Sequence, residues 1–250
     1  MRKALIVGGA NGIGLSIAVQ LAKRKDFEKI YILDKFIVSE EFNHSKFISI
    51  QFDLTSNDYS VFDRIRDIDT LMITAGFGKL SLFKDITESQ IINYFAVNSI
   101  APIRVIHHYM DKLLGDSDFF CGVMVSIAGF MSSPFFAVYG ASKAALKIFI
   151  ESVNVELEKA GSYNRILNVA PGSIKGTSFN QGKTDINLTA SLAKKIIAHL
   201  EAKDDLYIPQ YDEVFKYVLA RYQADFREEG RHSYDYKVKS GRISYSSDDE

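Results

Sequence analysis

The residue pair with the clearest chemical meaning in the chain lies in Tyr139-Gly140-Ala141-Ser142-Lys143. Tyr139 and Lys143 are four apart at the start of a segment with helical spacing, so both fall on one helix face. A phenol with a pKa of about 10 is a poor acid-base catalyst at neutral pH. A nearby ammonium stabilises the phenolate and draws that pKa toward the working range, which is the part Lys143 would play. Ser126 ends the predicted strand Val123–Ser126, 13 residues before Tyr139. That is the carboxyl edge at which open α/β sheets bind ligands, and its hydroxyl can hold a substrate carbonyl beside the phenol. Asn98, in Ala96-Val97-Asn98-Ser99, interrupts an otherwise helical stretch. It can hold a water that links Lys143 to solvent as a proton path, or it is a simple kink.

A second cluster binds rather than reacts. Gly8-Gly9-Ala10-Asn11-Gly12-Ile13-Gly14 follows a short apolar run and opens a helical segment. Glycines there let the chain turn tightly and approach a pyrophosphate, which the helix N-terminal amides then face. The second strand ends Ile32-Leu33-Asp34, with Asp34 20 residues after Gly14. An acid at that place accepts both hydroxyls of an adenosine ribose and repels a 2′-phosphate, so the expected cofactor is NAD. The adjacent cation Lys35 keeps NADP open as the alternative. Asp53, in Phe52-Asp53-Leu54, closes the third strand and can bond the adenine amino group or cap a helix.

These residues need a scaffold that brings strand ends together. Apolar runs recur at Ala4–Val7, Ile30–Leu33, Phe47–Phe52, Thr70–Ile73, Val123–Ile127 and Ile166–Ala170, with the length and β-branching of buried parallel strands. Helical spacing fills the intervals at Ile13–Lys25, Tyr59–Arg66, Glu88–Leu114 (broken near Asn98) and Val138–Lys159. Such alternation predicts βαβ units in a doubly wound, mostly parallel Rossmann-type sheet. One domain over 1–210 is expected, then a C-terminal extension over 211–250. In that extension a helix runs from about Asp212 to Arg227, and a polar, solvated, mobile tail follows.

The glycine motif, Asp34, Asp53, Asn98, Ser126, the Tyr139/Lys143 pair and Pro171-Gly172 occur together in the order and spacing of one known family. The chain resembles a short-chain dehydrogenase/reductase over residues 3 to about 177. The resemblance implies that Tyr139 is the general acid-base and that Lys143 lowers its pKa and binds the nicotinamide ribose. It implies that Ser126 orients the carbonyl or alcohol and that Asn98 supports the relay. Cofactor contacts are implied for Gly8, Asn11, Gly12, Ile13, Gly14, Asp34, Asp53, Leu54, Ala75 and Gly76, and, after Pro171-Gly172, for Ile174 and Thr177. Several positions depart from the family pattern. Val7 replaces a Thr, Ile73-Thr74-Ala75-Gly76 replaces Asn-Asn-Ala-Gly, and Thr177 lies one residue late. The frequent Asp-Gly-Gly ending is absent, so substrate identity does not carry over.

The reaction expected is NAD(P)-dependent interconversion of a secondary alcohol and a ketone, with an NADPH-dependent reductase of 3-oxoacyl or other carbonyl substrates as the runner-up. Phe130, Met131, Phe135 and Phe136, between Ser126 and Tyr139, read as an apolar pocket wall or as packing. Lys175–Thr189 reads as a short polar lid with Gly176 and Gly182 as hinges, so no large buried substrate is indicated. A non-enzymatic reading is an NAD-binding redox sensor or scaffold.

Thirty basic against 31 acidic residues offer no broad footprint for nucleic acid or an anionic membrane. Arg231, Lys237, Lys239 and Arg242 in the tail are too little to reverse that. The lone Cys121 and the scattered histidines predict neither disulfide nor metal site. Apolar runs are too short for a signal or a membrane span, so a cytoplasmic enzyme is expected. The helix Val138–Lys159 carries Ala145, Leu146, Phe149, Ile150, Val153 and Leu157, more than one buried face needs. That surplus, with the family habit of pairing this helix, predicts a homodimer or homotetramer.

Overall fold

A computed structural model of the chain describes residues 1–177, 179, 183–241 and 243. Strand β1 (Arg2–Val7) lies at the centre of its sheet. Leu5 and Val7 enter the core on one face, Ala4 and Ile6 the core on the other, and all four are fully buried. Coverage of both faces is why the strands read as unbroken apolar runs. The helix α1 (Gly12–Ala22) leads to β2 (Phe27–Asp34) and β3 (Phe47–Gln51) on one side of β1. The chain then crosses to β4 (Thr70–Ile73), β5 (Phe120–Met124), β6 (Ile166–Val169) and the short β7 (Leu206–Tyr207) on the other. All pairings are parallel, in the order β3-β2-β1-β4-β5-β6-β7. The direction of winding reverses between β1 and β4, and an open α/β sheet has its binding crevice at the carboxyl ends of such a pair.

Between β4 and β5 come α2 (Glu88–Phe95), α3 (Ala101–His108) and α4 (Met110–Leu114). The helix α5 (Ala137–Lys159) precedes β6, and α6 (Ile186–Glu201) follows it. Leu146, Ile150 and Leu157 of α5 and Val105 of α3 cover one face of the sheet. Leu15 and Ile17 of α1 with Ile196 and Leu200 of α6 cover the other.

Three expectations are corrected. The helix over Tyr59–Arg66 is absent except for a 3-10 turn, Phe62–Arg64. At its start Asp58 Oδ1 accepts from the Ser60 amide at 2.8 Å, a local side-chain bond that competes with helix hydrogen bonding. Near Asn98 the helix is not broken but widened into a π-helical turn, Ala96–Ile100, a local form common at functional sites. Past Arg227 the described chain continues as a helix to Lys239, and residues 242 and 244–250 of the expected tail lie outside the described residues. A π-helical turn (Tyr211–Phe215) and α7 (Lys216–Ala224) are followed by α8 (Phe226–Lys239). The Asp225 carboxylate caps α8 by accepting from the Arg227 and Glu228 amides. Those two bonds also hold its pKa below the usual carboxylate range. No helix among the described residues is long and apolar enough to cross a membrane.

Gly8, directly after β1, has φ +86°, and a Cβ there would stand 2.3 Å from the Ala75 backbone nitrogen. Because that obstacle is main chain, Gly8→Ala is expected to cost about 3 kcal/mol or more. The melting temperature should fall by roughly 6–12 °C, and a melt within about 2 °C of wild type would contradict this packing.

Candidate active site

One cavity of about 860 Å³ runs along the carboxyl edge of the sheet. It is lined at one end by Asp34, Lys35, Phe36, Asp53 and Leu54, and in the middle by Gly8, Asn11, Gly12, Ile13 and Gly14. At the other end it is lined by Ala75, Gly76, Ser126, Tyr139, Lys143, Pro171, Gly172, Ile174 and Thr177. Every residue implied by the family resemblance therefore meets the cavity except Asn98.

The glycine loop is tied to both neighbouring strands. Asp34 Oδ2 accepts from the Ala10 amide at 2.9 Å and Oδ1 from the Phe36 amide at 3.1 Å. A carboxylate has lone pairs left after two such bonds, so Asp34 is a loop brace with capacity for a ligand hydroxyl. Lys35 lies 3.5 Å from the Asp53 carboxylate. Asp53 also accepts from the Thr55 hydroxyl at 2.8 Å, and its pKa is lowered first by the Thr55 amide and hydroxyl and then by Lys35. The Thr74 hydroxyl donates to Gly8 O at 2.8 Å. It thus ties the end of β4 to the turn after β1. Thr177 is buried, and a Cβ on Gly12 would meet it at 3.7 Å, so it packs on the loop despite its late register. Asn11 precedes α1 without its side chain capping that helix, which leaves capping of the first turn to other groups. Residues and cradle fit a dinucleotide: first-turn helix amides at the pyrophosphate position and an acid at the ribose position.

At the other end, Tyr139 and Lys143 lie on the first turns of α5, and both are buried. The Lys143 ammonium donates to Met124 O at 2.9 Å. Ser126 caps the 3-10 turn after β5, and its Oγ accepts from the Ala128 amide at 3.1 Å. Asn98 is wholly buried behind these groups. Its Oδ1 accepts from the Phe77 amide and its Nδ2 donates to Phe77 O, both at 3.0 Å, with a further bond to Ser142 Oγ at 3.2 Å. A Cβ on Gly76 would lie 3.1 Å from both Asn98 Oδ1 and Lys143 Nζ, so the absent side chain lets these two groups converge.

The expected depression of the Tyr139 pKa by Lys143 is not present in the protein by itself. Burial pushes the Tyr139 phenol up to about 12, against a hydrogen bond with Ser126 that pulls it down. Burial likewise pushes Lys143 down to about 7. Burial disfavours the charged form of each group. Opposed shifts in neighbouring groups within a cavity are a mark of functional sites.

The wall of the cavity near Tyr139 is aromatic. Phe136 and Phe179 flank the Tyr139 ring, at centroid distances of 5.2 and 5.4 Å. Met131 and Phe136 line the cavity as expected, whereas Phe130 packs beneath it and Phe135 stacks on Tyr234. Phe215, Val218 and Arg221 of the C-terminal hairpin complete the wall, as do Glu229, His232 and Tyr236. Asp225-Phe226-Arg227-Glu228 is a helix-start pattern that would have announced α8. The hinge expected at Gly182 lies outside the described residues, while Gly176 has φ +78°.

Comparison with known proteins agrees with this geometry. The family model for short chain dehydrogenases matches residues 2–187. The short-chain dehydrogenase srdE of Neurospora crassa is 31% identical over 183 residues, covering 68% of this chain and 60% of its own length. Among solved structures, a short-chain dehydrogenase from Sphingobium yanoikuyae in complex with NADPH superposes with a TM-score of 0.73 at 20% identity. It covers 100% of this chain and 99% of that one. The bulky-bulky ketone specific alcohol dehydrogenase from Comamonas testosteroni gives 0.72 at 20% identity, covering 100% and 98%. The chain belongs to the short-chain dehydrogenase family. The relatives it matches are named as oxidoreductases or short-chain dehydrogenases.

Proposed function

We propose that the protein interconverts a secondary alcohol and a ketone, using NAD, with Tyr139 as general acid-base. The observation that carries this reading is the convergence of Ser126, Tyr139 and Lys143 at one end of a cavity whose other end is a dinucleotide cradle. The nicotinamide ring, when bound, supplies the hydride acceptor or donor. The Ser126 hydroxyl holds the substrate oxygen beside the phenol. In oxidation Tyr139 Oη takes the hydroxyl proton as the carbinol carbon gives up its hydride; in reduction it returns that proton. Lys143 binds the nicotinamide ribose and, once protonated there, stabilises the phenolate. Asn98 keeps the Phe77 backbone and the Lys143 pocket in register. Phe136 and Phe179 favour an apolar, ring-bearing substrate. A panel of secondary alcohols and ketones tests the reading, and silence across it would favour a redox sensor.

Asp34 supports NAD over NADP because a 2′-phosphate beside its carboxylate would meet like charge. The Sphingobium neighbour holds NADPH, and the reductase alternative would have to recruit Lys35, which is ion-paired with Asp53. NAD is expected to bind roughly 100-fold more tightly than NADP, a difference of about 3 kcal/mol. Asp34→Ala should shrink that ratio toward unity. Calorimetric titration with both cofactors checks it, and a wild-type preference for NADP would overturn the assignment.

A homodimer or homotetramer built on α5 is part of this reading. Leu146, Ile150 and Leu157 face the core, while Ile148 and Val155 are more than half exposed. Cytoplasmic residence is proposed on the sequence grounds given above.

A further inference from the structure

The turn that leads into α5 is the most strained stretch near the cavity. Phe135 has φ +68°, a conformation that a bulky side chain rarely adopts, yet it is buried. Such a residue persists only where its surroundings over-determine it. Its carbonyl accepts from the Ser81 amide at 3.0 Å, and its ring packs on Tyr234 of α8 at a centroid distance of 4.6 Å. One turn further along α8, Lys237 is also buried. Its ammonium donates to Ser133 Oγ at 2.7 Å, to Pro134 O at 2.8 Å and to Ser233 Oγ at 3.0 Å, and lies 5.5 Å from the Phe136 ring. A buried ammonium is costly unless hydrogen-bonded, so this lysine is invested in the turn and not in solvent.

The consequence reaches the site through Phe136. Its carbonyl accepts from the Gly140 amide at 2.7 Å, starting α5, and its ring lies against Tyr139. The same hairpin closes the cavity from above, where Phe215 fits against Gly172, with its ring tip 2.6 Å from where a Cβ would stand.

We propose that Lys237 is a positioning residue of this active site. It clasps α8 to the Ser133–Phe136 turn, and the C-terminal hairpin thereby sets the shape of the substrate end of the cavity. Through Ser133 and Pro134 the clasp bears on the turn that carries Phe136, beside Tyr139 and away from the Asp34 and Asp53 strand ends. Its bearing on substrate choice rests on the alcohol–ketone reading; the clasp itself does not.

The test compares full-length wild type with Lys237→Met, which keeps the apolar stem and removes the ammonium, and with Tyr234→Ala. Amide hydrogen exchange is read over residues 133–140 and over α8. Steady-state kinetics use NADH with cyclohexanone as the small ketone and 2-acetylnaphthalene as the bulky one. Both variants should speed exchange in the two segments at least tenfold. They should raise KM for the bulky ketone more than for the small one, shifting the bulky-to-small ratio of kcat/KM about tenfold, with cofactor Kd within twofold. Tyr234→Phe, which keeps the stacked ring, should lie nearer wild type than Tyr234→Ala. If Lys237→Met does not fold, Tyr234→Ala probes the same turn. Unchanged exchange in the turn, or an unchanged substrate ratio despite faster exchange, overturns the proposal. Wild-type inactivity toward every alcohol and ketone defeats the function reading instead, and the exchange result then decides the clasp alone.

Discussion

Tyr139→Phe is expected to lower kcat by about 10²–10⁴-fold while leaving cofactor affinity within a factor of about two. The change removes one oxygen. The ring remains between Phe136 and Phe179, so the apolar wall survives and any loss is chemical. Ser126, the other hydroxyl placed to hold the substrate oxygen, is a far weaker acid, and its Oγ already accepts from the Ala128 amide. Calorimetry for the cofactor and steady-state rates for the best alcohol of the panel separate the two quantities. Retained turnover would remove Tyr139 from the mechanism, and a collapse of cofactor affinity would make it a binding residue.

Lys143→Met should produce two effects of opposite sign. Turnover is expected to fall by about 10²–10⁴-fold, with weaker cofactor binding, since in the proposed mechanism the ammonium would hold the ribose and support the phenolate. The protein alone should tolerate the change well, because burial already holds the Lys143 pKa down to about 7 from 10.5. Between those values the unfolded chain binds a proton that the folded chain does not, so this lysine's contribution to stability rises with pH across the window. Below about 7 the folded state carries a buried ammonium, and the penalty is in full force. The melting temperature of wild type minus that of the variant should therefore climb between pH 7 and about 9.5, and level off below about 6.5. Tyr139, raised to about 12 from 10.0, acts in the opposite sense only above pH 10, outside that range. A difference that stays flat from neutral to alkaline pH would contradict the buried, depressed lysine.

What could be read in the sequence follows physical range. Strand identity was legible because burial on both faces forces apolar runs such as Ala4–Val7. The sites at strand ends were legible because glycine, acid, serine and the Tyr139/Lys143 pair each answer a local chemical demand. Tyr59–Arg66 has helical apolar spacing, but that pattern does not weigh a local side-chain bond such as that of Asp58 to the Ser60 amide. Asn98 was expected at a break, and its actual bonds to the Phe77 backbone join segments 21 residues apart. Spacing along one helix cannot report such a contact. The i,i+4 spacing of Tyr139 and Lys143 reports charge proximity, whereas the burial that raises the Tyr139 pKa depends on everything packed around the ring. The C-terminal hairpin was hidden for a related reason. Its inward face is polar, with Glu229, His232 and Lys237, and polar patterning reads as solvent-facing unless the opposite wall is known. Arg231 pairs with Glu228 and Lys237 is buried, while Arg242 lies outside the described residues.

The central claim is hydride transfer between a bound nicotinamide and a carbonyl carbon, with Tyr139 moving the proton. NADH deuterated at C4 on the transferred face, incubated with a prochiral aryl ketone and the purified protein, tests it in one mass-spectrometric measurement. Wild type should place deuterium on the carbinol carbon of the product alcohol, and Tyr139→Phe should yield almost none. Absence of labelled alcohol from wild type across the ketone panel, or equal labelling by the variant, would contradict the account.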